Sequence, residues 1–167
     1  AVGTFALTSN VLGSASTAIG HQALYAQKPV DGSGNDTAVT MYNTAVGFNA
    51  GLNVTTGIQN TLIGGLAGDA LQDADNNIAL GYSAMTTNQL GSESVAIGTF
   101  ALNSQNPASA TNMYNVAVGH NSGAGVTTGI RNTYIGALAG DGSDDGSDNT
   151  AVGKSALYSL TSGTGNV

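Results

Sequence analysis

Apolar and polar positions alternate along this chain in short, evenly spaced bursts. Each burst is a Thr, Val or Ile, then a small residue, then an aliphatic residue, and it is closed by Gly. Thr17-Ala18-Ile19-Gly20, Thr44-Ala45-Val46-Gly47, Val95-Ala96-Ile97-Gly98 and Thr150-Ala151-Val152-Gly153 are four of its nine copies. The closing glycines are Gly3, Gly20, Gly47, Gly64, Gly81, Gly98, Gly119, Gly136 and Gly153. They stand 17 residues apart except after Gly20 and Gly98, where the spacings are 27 and 21. Period-two alternation over so short a run predicts a β-strand. A fixed period with occasional insertions predicts a solenoid, one coil per repeat.

The rest of the frame describes the coil. A second glycine recurs ten residues after the first, at Gly13, Gly57, Gly91, Gly129, Gly146 and Gly163, and among the plain rungs only Ala74 breaks the pattern. Glycine supplies the positive φ that turns require. Two glycines therefore predict two turns and two short strands per 17-residue rung, a flattened parallel β-roll. The middle strand position is Ala except at Leu62 and Tyr134, so one strand face is aliphatic and the other small. The expected arrangement buries the aliphatic face and leaves the Ala face outward, for close approach of a neighbouring subunit. Asn43, Asn60, Asn77, Asn115, Asn132 and Asn149 each precede a strand, and asparagines in register can stack as a ladder.

The two long rungs predict loop insertions at 25–42 and 103–114. Each contains one of the chain's two prolines, Pro29 and Pro107, and proline cannot donate to a strand ladder. Each ends in Met-Tyr-Asn, at 41–43 and 113–115, so both should leave the same edge of the roll. Residues 43–69 and 115–141 are identical at 19 of 27 positions. This defines four-rung blocks at about 18–89 and 96–161 within one repetitive segment, 1–167. At ~4.8 Å per rung the loops recur about every 19 Å.

Composition narrows the function. Of 167 residues only 8% are charged and 5% aromatic, with 25 Gly, no Trp and no Cys. Such a composition resembles a disordered chain, but the regular apolar spacing argues for order. The core must be thin, and a roll this narrow is expected to gain stability by packing with copies of itself. The expectation is an obligate homo-oligomer, with threefold symmetry as the natural number. The net charge is −7 and the only cations are Lys28, Arg131 and Lys154, which disfavours nucleic acid as a partner. No apolar run approaches the ~18–20 residues of a membrane span, so no membrane insertion is expected in this segment.

Candidate chemistry is sparse, and no catalytic residue or cofactor is assigned. Asp69, Asp73 and Asp75 lie in one turn, and Asp141, Asp144, Asp145 and Asp148 in its homologue. The second set is a weak calcium candidate, because hard cations take several oxygens. The spacing fits neither an EF-hand nor a nonapeptide repeat, and a solvated acidic turn is the preferred reading. His21 and His120 follow repeat glycines in a slot that also holds Thr, Phe, Tyr, Gly, Ala and Lys, as a solvated turn would. Glu93 is the only glutamate, and no carboxylate pair suggests a glycosidase. Gly153-Lys154-Ser155 mimics the end of a phosphate-binding loop, but Asp148 stands where its first Gly belongs. Gly32-Ser33-Gly34 carries no weight, and Asn35-Asp36-Thr37 and Asn53-Val54-Thr55 are formal glycosylation sequons. Loop residues Tyr42 and Tyr114 are the candidate contacts to an outside ligand. The preferred reading is that each Met-Tyr pair tucks against the roll to pin its loop.

Two of these phrases carry a resemblance. The rung Thr-Ala-Val-Gly-x-x-Ala, with Gly again near position ten, resembles the head repeats of trimeric autotransporter adhesins, the YadA-like β-roll. Ser92–Gly98, reading SESVAIG, is very close to that core phrase. Residues 43–68 look even more like repeats in tail fibres of tailed bacteriophages. The resemblance implies a left-handed parallel β-roll, trimeric about a fibre axis, side by side or intertwined. It implies a virion tail fibre, a rigid shaft for host attachment, with a bacterial cell-surface adhesin head as the alternative and a depolymerase-bearing tailspike segment behind both. Expected partners are the chain itself, other fibre or tail proteins, and a host surface glycan or protein. Asn166-Val167 falls 17 residues after Asn149-Thr150, where a tenth copy would begin, so the chain reads as a slice of a longer fibre.

Overall fold

The computed structural model describes residues 1–31 and 33–167. Its strands in chain order are β1 (Gly13–Ser14), β2 (Thr17–Ile19), β3 (Val39–Thr40), β4 (Thr44–Val46), β5 (Thr61–Ile63) and β6 (Ile78–Leu80). They continue as β7 (Gly91–Ser92), β8 (Val95–Ile97), β9 (Thr111–Asn112), β10 (Val116–Val118), β11 (Thr133–Ile135) and β12 (Thr150–Val152). No helix is present among the described residues. The repeat phrase forms one eight-stranded sheet, ordered β2-β4-β5-β6-β8-β10-β11-β12, and each pairing is parallel. Register follows the repeat without slippage: Ala45 faces Leu62, Leu62 faces Ala79, and Ala117 faces Tyr134. The chain is an all-β parallel solenoid built on the 17-residue spacing.

The opposite wall differs from the expected second strand. Among the described residues strand pairs occur there only beside the loops, β1 with β3 and β7 with β9. Elsewhere that wall carries left-handed residues at two alternate positions of each rung. The second residue after each repeat glycine is left-handed, as at Gln22 (φ 54°), Leu66 (59°) and Phe100 (58°). So is the fourth, as at Leu24 (50°), Gly68 (54°) and Met85 (54°). A left-handed non-glycine residue is normally a cost. Here the second residue turns its N–H back to the preceding rung, Gln22 to Thr4 O and Leu66 to Phe48 O at 2.9 Å each, and the fourth turns its N–H forward to the next. Leu24 N–H donates to Ala50 O at 3.0 Å, Gly68 N–H to Ala84 O at 2.9 Å, and Met85 N–H to Ala101 O at 3.0 Å. The backbone donors are satisfied in a parallel stack without extended dihedrals, and repetition makes the strain part of the architecture.

The two strand faces are reversed relative to expectation. The middle residues Ala18, Ala45, Leu62, Ala79, Ala96, Ala117 and Tyr134 are fully buried. The aliphatic residues beside them face out, with Ile19, Ile63, Leu80 and Ile135 at 44, 37, 43 and 41% exposure. The reason is space. A second buried column, Ala23, Ala50, Ala67, Ala84, Ala101, Ser122 and Ala139, comes from the opposite wall, and a coil of 17 residues brings these walls too close for branched side chains from both. Leu24, Met85 and Leu102, at the left-handed fourth position, fill the remaining interior.

The two glycine series also have different causes. The repeat glycines take φ between 123° and 141°. They also lie against the next rung, so that a Cβ on Gly81 would sit 2.6 Å from Gly98 O. The second glycines are not left-handed, contrary to the expected turn role. They are required by contact: a Cβ on Gly146 would lie 2.6 Å from Gly163 O.

The asparagines do form a ladder, and it is buried. Asn60 N–H donates to Asn43 Oδ1 at 2.9 Å, Asn77 N–H to Asn60 Oδ1 at 3.0 Å, and Asn132 N–H to Asn115 Oδ1 at 2.9 Å. Each Nδ2 donates onward to a carbonyl across the roll, Asn60 to Ala74 O at 2.8 Å and Asn132 to Gly146 O at 2.8 Å. Asn43 and Asn115 keep the same carbonyl beside the loops, donating to Gly57 O and Gly129 O at 2.8 Å each, while Ser16 and Ser94 hold the preceding ladder position in place of Asn. Gln27 and Gln105, both buried, extend Oε1 to accept from Asn43 and Asn115 at 3.0 and 2.9 Å. The loops are thereby spliced in without breaking the polar column.

Candidate interaction surface

No concave pocket is found among the described residues, so the candidate site is an open surface. Its broadest feature is the outward row of the long sheet. Ile19, Val46, Ile63, Leu80, Ile97, Val118, Ile135 and Val152 succeed one another rung by rung, all partly or fully exposed. Eight rungs at ~4.8 Å give an aliphatic stripe about 34 Å long between first and last strand. Contiguous exposed apolar surface of this kind marks interaction sites.

Aromatic side chains line the edge where the chain leaves the strands. His21 stacks on Phe48 with centroids 5.3 Å apart and meets Phe5 edge-on at 6.1 Å. Phe100 lies between Tyr82, 5.7 Å away, and His120, 6.5 Å away. His21 and His120 are exposed, as the solvated-turn reading expects, but each belongs to an aromatic group that the sequence reading did not identify. The signal was available: in solenoid register, aromatics one or two residues after consecutive repeat glycines must be neighbours.

Each Met-Tyr pair divides its roles. Met41 and Met113 are fully buried and close the roll under the loops. Tyr42 and Tyr114 stay outside, at 60 and 52% exposure. Both sit five residues before a repeat glycine, the slot that also holds Ala15, Gln59, Asn76, Glu93, Arg131 and Asp148. Every member of the slot is left-handed, with φ between 53° and 62°. Sequence reasoning singled out the tyrosines and missed the row they belong to.

The structure does not bring the aspartates together. No cluster of three or more His, Asp or Glu residues of metal-holding geometry occurs among the described residues. Asp144 accepts from Thr127, and Asp148 pairs with Arg131, whose Nε lies 2.6 Å from Oδ1. Asp145 is exposed and Asp141 partly buried. In the first turn Asp73 accepts from Thr55 at 2.8 Å and Thr56 at 2.6 Å, while Asp75 accepts from Ile58 N–H at 2.8 Å. Bonding to Arg131 holds the Asp148 carboxyl below the usual range, and burial pushes Asp69 and Asp141 above it. The Gly153-Lys154-Ser155 phrase turns into another rung with no helix to receive a phosphate. Asn53 donates to Asp69 O at 2.8 Å, while Asn35 donates to Asp31 at the tip of the first loop. Gly32, of the Gly32-Ser33-Gly34 phrase, lies outside the described residues.

No protein-family model, curated protein or solved structure matches the chain.

Proposed function

We propose that this chain is a structural segment of a homotrimeric fibre, a rigid extended shaft of the phage tail-fibre kind that serves host attachment. The outward aliphatic row of the long sheet carries this reading. A single roll exposes its most hydrophobic face along its full length, and the repeat keeps that face aliphatic at every rung. Threefold packing about a common axis buries three such rows against one another, as burial of apolar surface favours. The low content of ionic chemistry and the continuous backbone ladder fit a shaft rather than an enzyme. The predicted setting is the virion, with other tail proteins as neighbours.

Sedimentation equilibrium of the purified chain tests this reading. The expected mass is three times the monomer, and Leu80→Lys with Ile135→Lys is expected to release monomers that retain the β signature in circular dichroism. A wild-type chain that remains monomeric at micromolar concentration overturns the proposal.

A further inference from the structure

The slot five residues before each repeat glycine forms a surface track of mixed aromatic and polar side chains. In rung order it reads Tyr42, Gln59, Asn76, Glu93, Tyr114, Arg131 and Asp148. The backbone of the track is fixed by rung-to-rung bonds: Gln59 N–H to Met41 O at 2.8 Å, Asn76 N–H to Ile58 O at 3.0 Å, Glu93 N–H to Asp75 O at 3.0 Å. Its two rings leave nearly identical backbone geometries, φ 53° and 54°. Asn112 Nδ2 donates to the Tyr114 hydroxyl at 3.1 Å and steadies that ring. Between the rings stand an amide, a second amide and a carboxylate, with Asn76 Nδ2 donating to Glu93 Oε1 at 3.3 Å.

We infer that this track binds a neutral, extended, β-linked hexopyranose chain lying parallel to the solenoid axis. Three features select that ligand. Two aromatic faces with amides and a carboxylate between them match a polymer whose units have apolar ring faces and hydroxyl edges. The rung repeat of ~4.8 Å is close to the length of one pyranose ring in an extended chain, so successive sugars meet successive rungs. The charge excludes an anionic polymer: the chain carries −7, and the one cation on the track, Arg131, is engaged by Asp148. Tyr42 and Tyr114 are four rungs apart, about 19 Å, so five rings are the fewest that reach both. The two contacts then act as a linked pair, which strengthens binding without any new kind of contact. The track is complete within one chain and lies at the end of the strands opposite the aromatic edge. Its binding and the chain's self-association are therefore measured separately.

Calorimetry with cellohexaose and chitohexaose, against the corresponding trisaccharides, tests the inference. At least one hexasaccharide is expected to bind tenfold or more tightly than its trisaccharide. Tyr42→Ala or Tyr114→Ala is expected to reduce the hexasaccharide to the level of the trisaccharide, and the double Ala variant to abolish both. Tyr42→Phe with Tyr114→Phe, which keeps the rings, is expected to retain the length preference. Ala15 already occupies this slot at φ 58°, so the backbone accepts alanine there. Equal binding of tri- and hexasaccharide, no binding of either hexasaccharide, or hexasaccharide binding that survives the double Ala substitution overturns the inference.

Discussion

The two four-rung blocks solve one packing problem with different residues. In the first, Leu62 takes the middle strand position and projects inward between Gly51 and Gly68, with Val54 and Leu71 beside it. In the second, 72 residues on, Tyr134 takes the same position between Gly123 and Gly140, with Val126 and Ser143. Leu71 has become Ser143 as Leu62 has become Tyr134, and the Tyr134 hydroxyl donates to Ser143 Oγ at 3.0 Å. Volume lost at one position is regained at the other, and the added polar atom arrives with its partner. Three rungs with Ala in the strand use the converse set, Ala18 with Leu24, Ala79 with Met85 and Ala96 with Leu102, whereas Ala45 and Ala117 stand with Gly51 and Gly123, over which Leu62 and Tyr134 of the next rung reach. The large residue thus comes from one wall or the other, and Leu62 and Tyr134 each serve two adjoining rungs.

This exchange makes the largest prediction. A Cβ on Gly140 would lie 2.6 Å from the Tyr134 ring, so Gly140→Leu places two large groups in one space. The expected loss is about 3 kcal/mol or more, at the upper end of overpacking costs. Combining Gly140→Leu with Tyr134→Ala recreates the Ala-with-Leu set and should recover at least half the loss, a strong departure from additivity. Urea melts of the two single variants and the pair measure it. A double variant no more stable than the sum of its parts would show that the blocks are not exchanging volume.

What could be read beforehand follows the same division. The 17-residue frame, the parallel register and the splice points needed only spacing, because in a solenoid spacing dictates neighbours. The Asn ladder followed from the same logic, at Asn43, Asn60 and Asn77. Alternation revealed that the strands have two faces but not which one is inside. That was decided by the distance between walls, a property of the closed coil rather than of any run of residues. The role of Gly57 or Gly146 was hidden similarly, since a glycine needed for contact and one needed for positive φ look identical in sequence. On the surface, Tyr42 and Tyr114 were visible as residues that break the pattern. Gln59, Asn76 and Glu93 were invisible because variable polar residues resemble ordinary solvated turn positions until the rungs are stacked.

Three further substitutions probe the hydroxyl that distinguishes the blocks. Tyr134→Phe keeps the ring and leaves Ser143 Oγ buried without its donor, an expected loss of about 1–3 kcal/mol. Adding Ser143→Ala removes the stranded oxygen, so the pair should be more stable than Tyr134→Phe alone. Leu62→Phe in the first block, where Leu71 offers no acceptor and no relief of volume, should cost more than Tyr134→Phe by thermal melt. The opposite order would mean that the hydrogen bond, rather than the volume exchange, sets the second block.

The smallest effect concerns the homologous aspartates that follow the core glycines. Burial raises the carboxyls of both Asp69 and Asp141. What opposes burial differs: Thr86 donates to Asp69 Oδ1 at 2.6 Å, whereas Asp141 is helped by the charge of His120. A raised folded-state pKa means that the folded chain holds its proton more tightly than the unfolded one. The associated stability is full below the unfolded carboxylate value of about 3.9 and is lost as pH rises through the folded value. Asp69→Asn and Asp141→Asn remove that loss. Each should raise Tm at neutral pH by less than about 2 °C, given that 1 kcal/mol moves a domain of this size by only about 2–4 °C. The gain should vanish near pH 3, where aspartate is already neutral in both states. Salt then separates the blocks. Added salt screens the His120 charge and should widen the gain from Asp141→Asn. The hydrogen-bonded Asp69 site should not respond. Equal salt responses at the two positions would show that His120 does not act on Asp141.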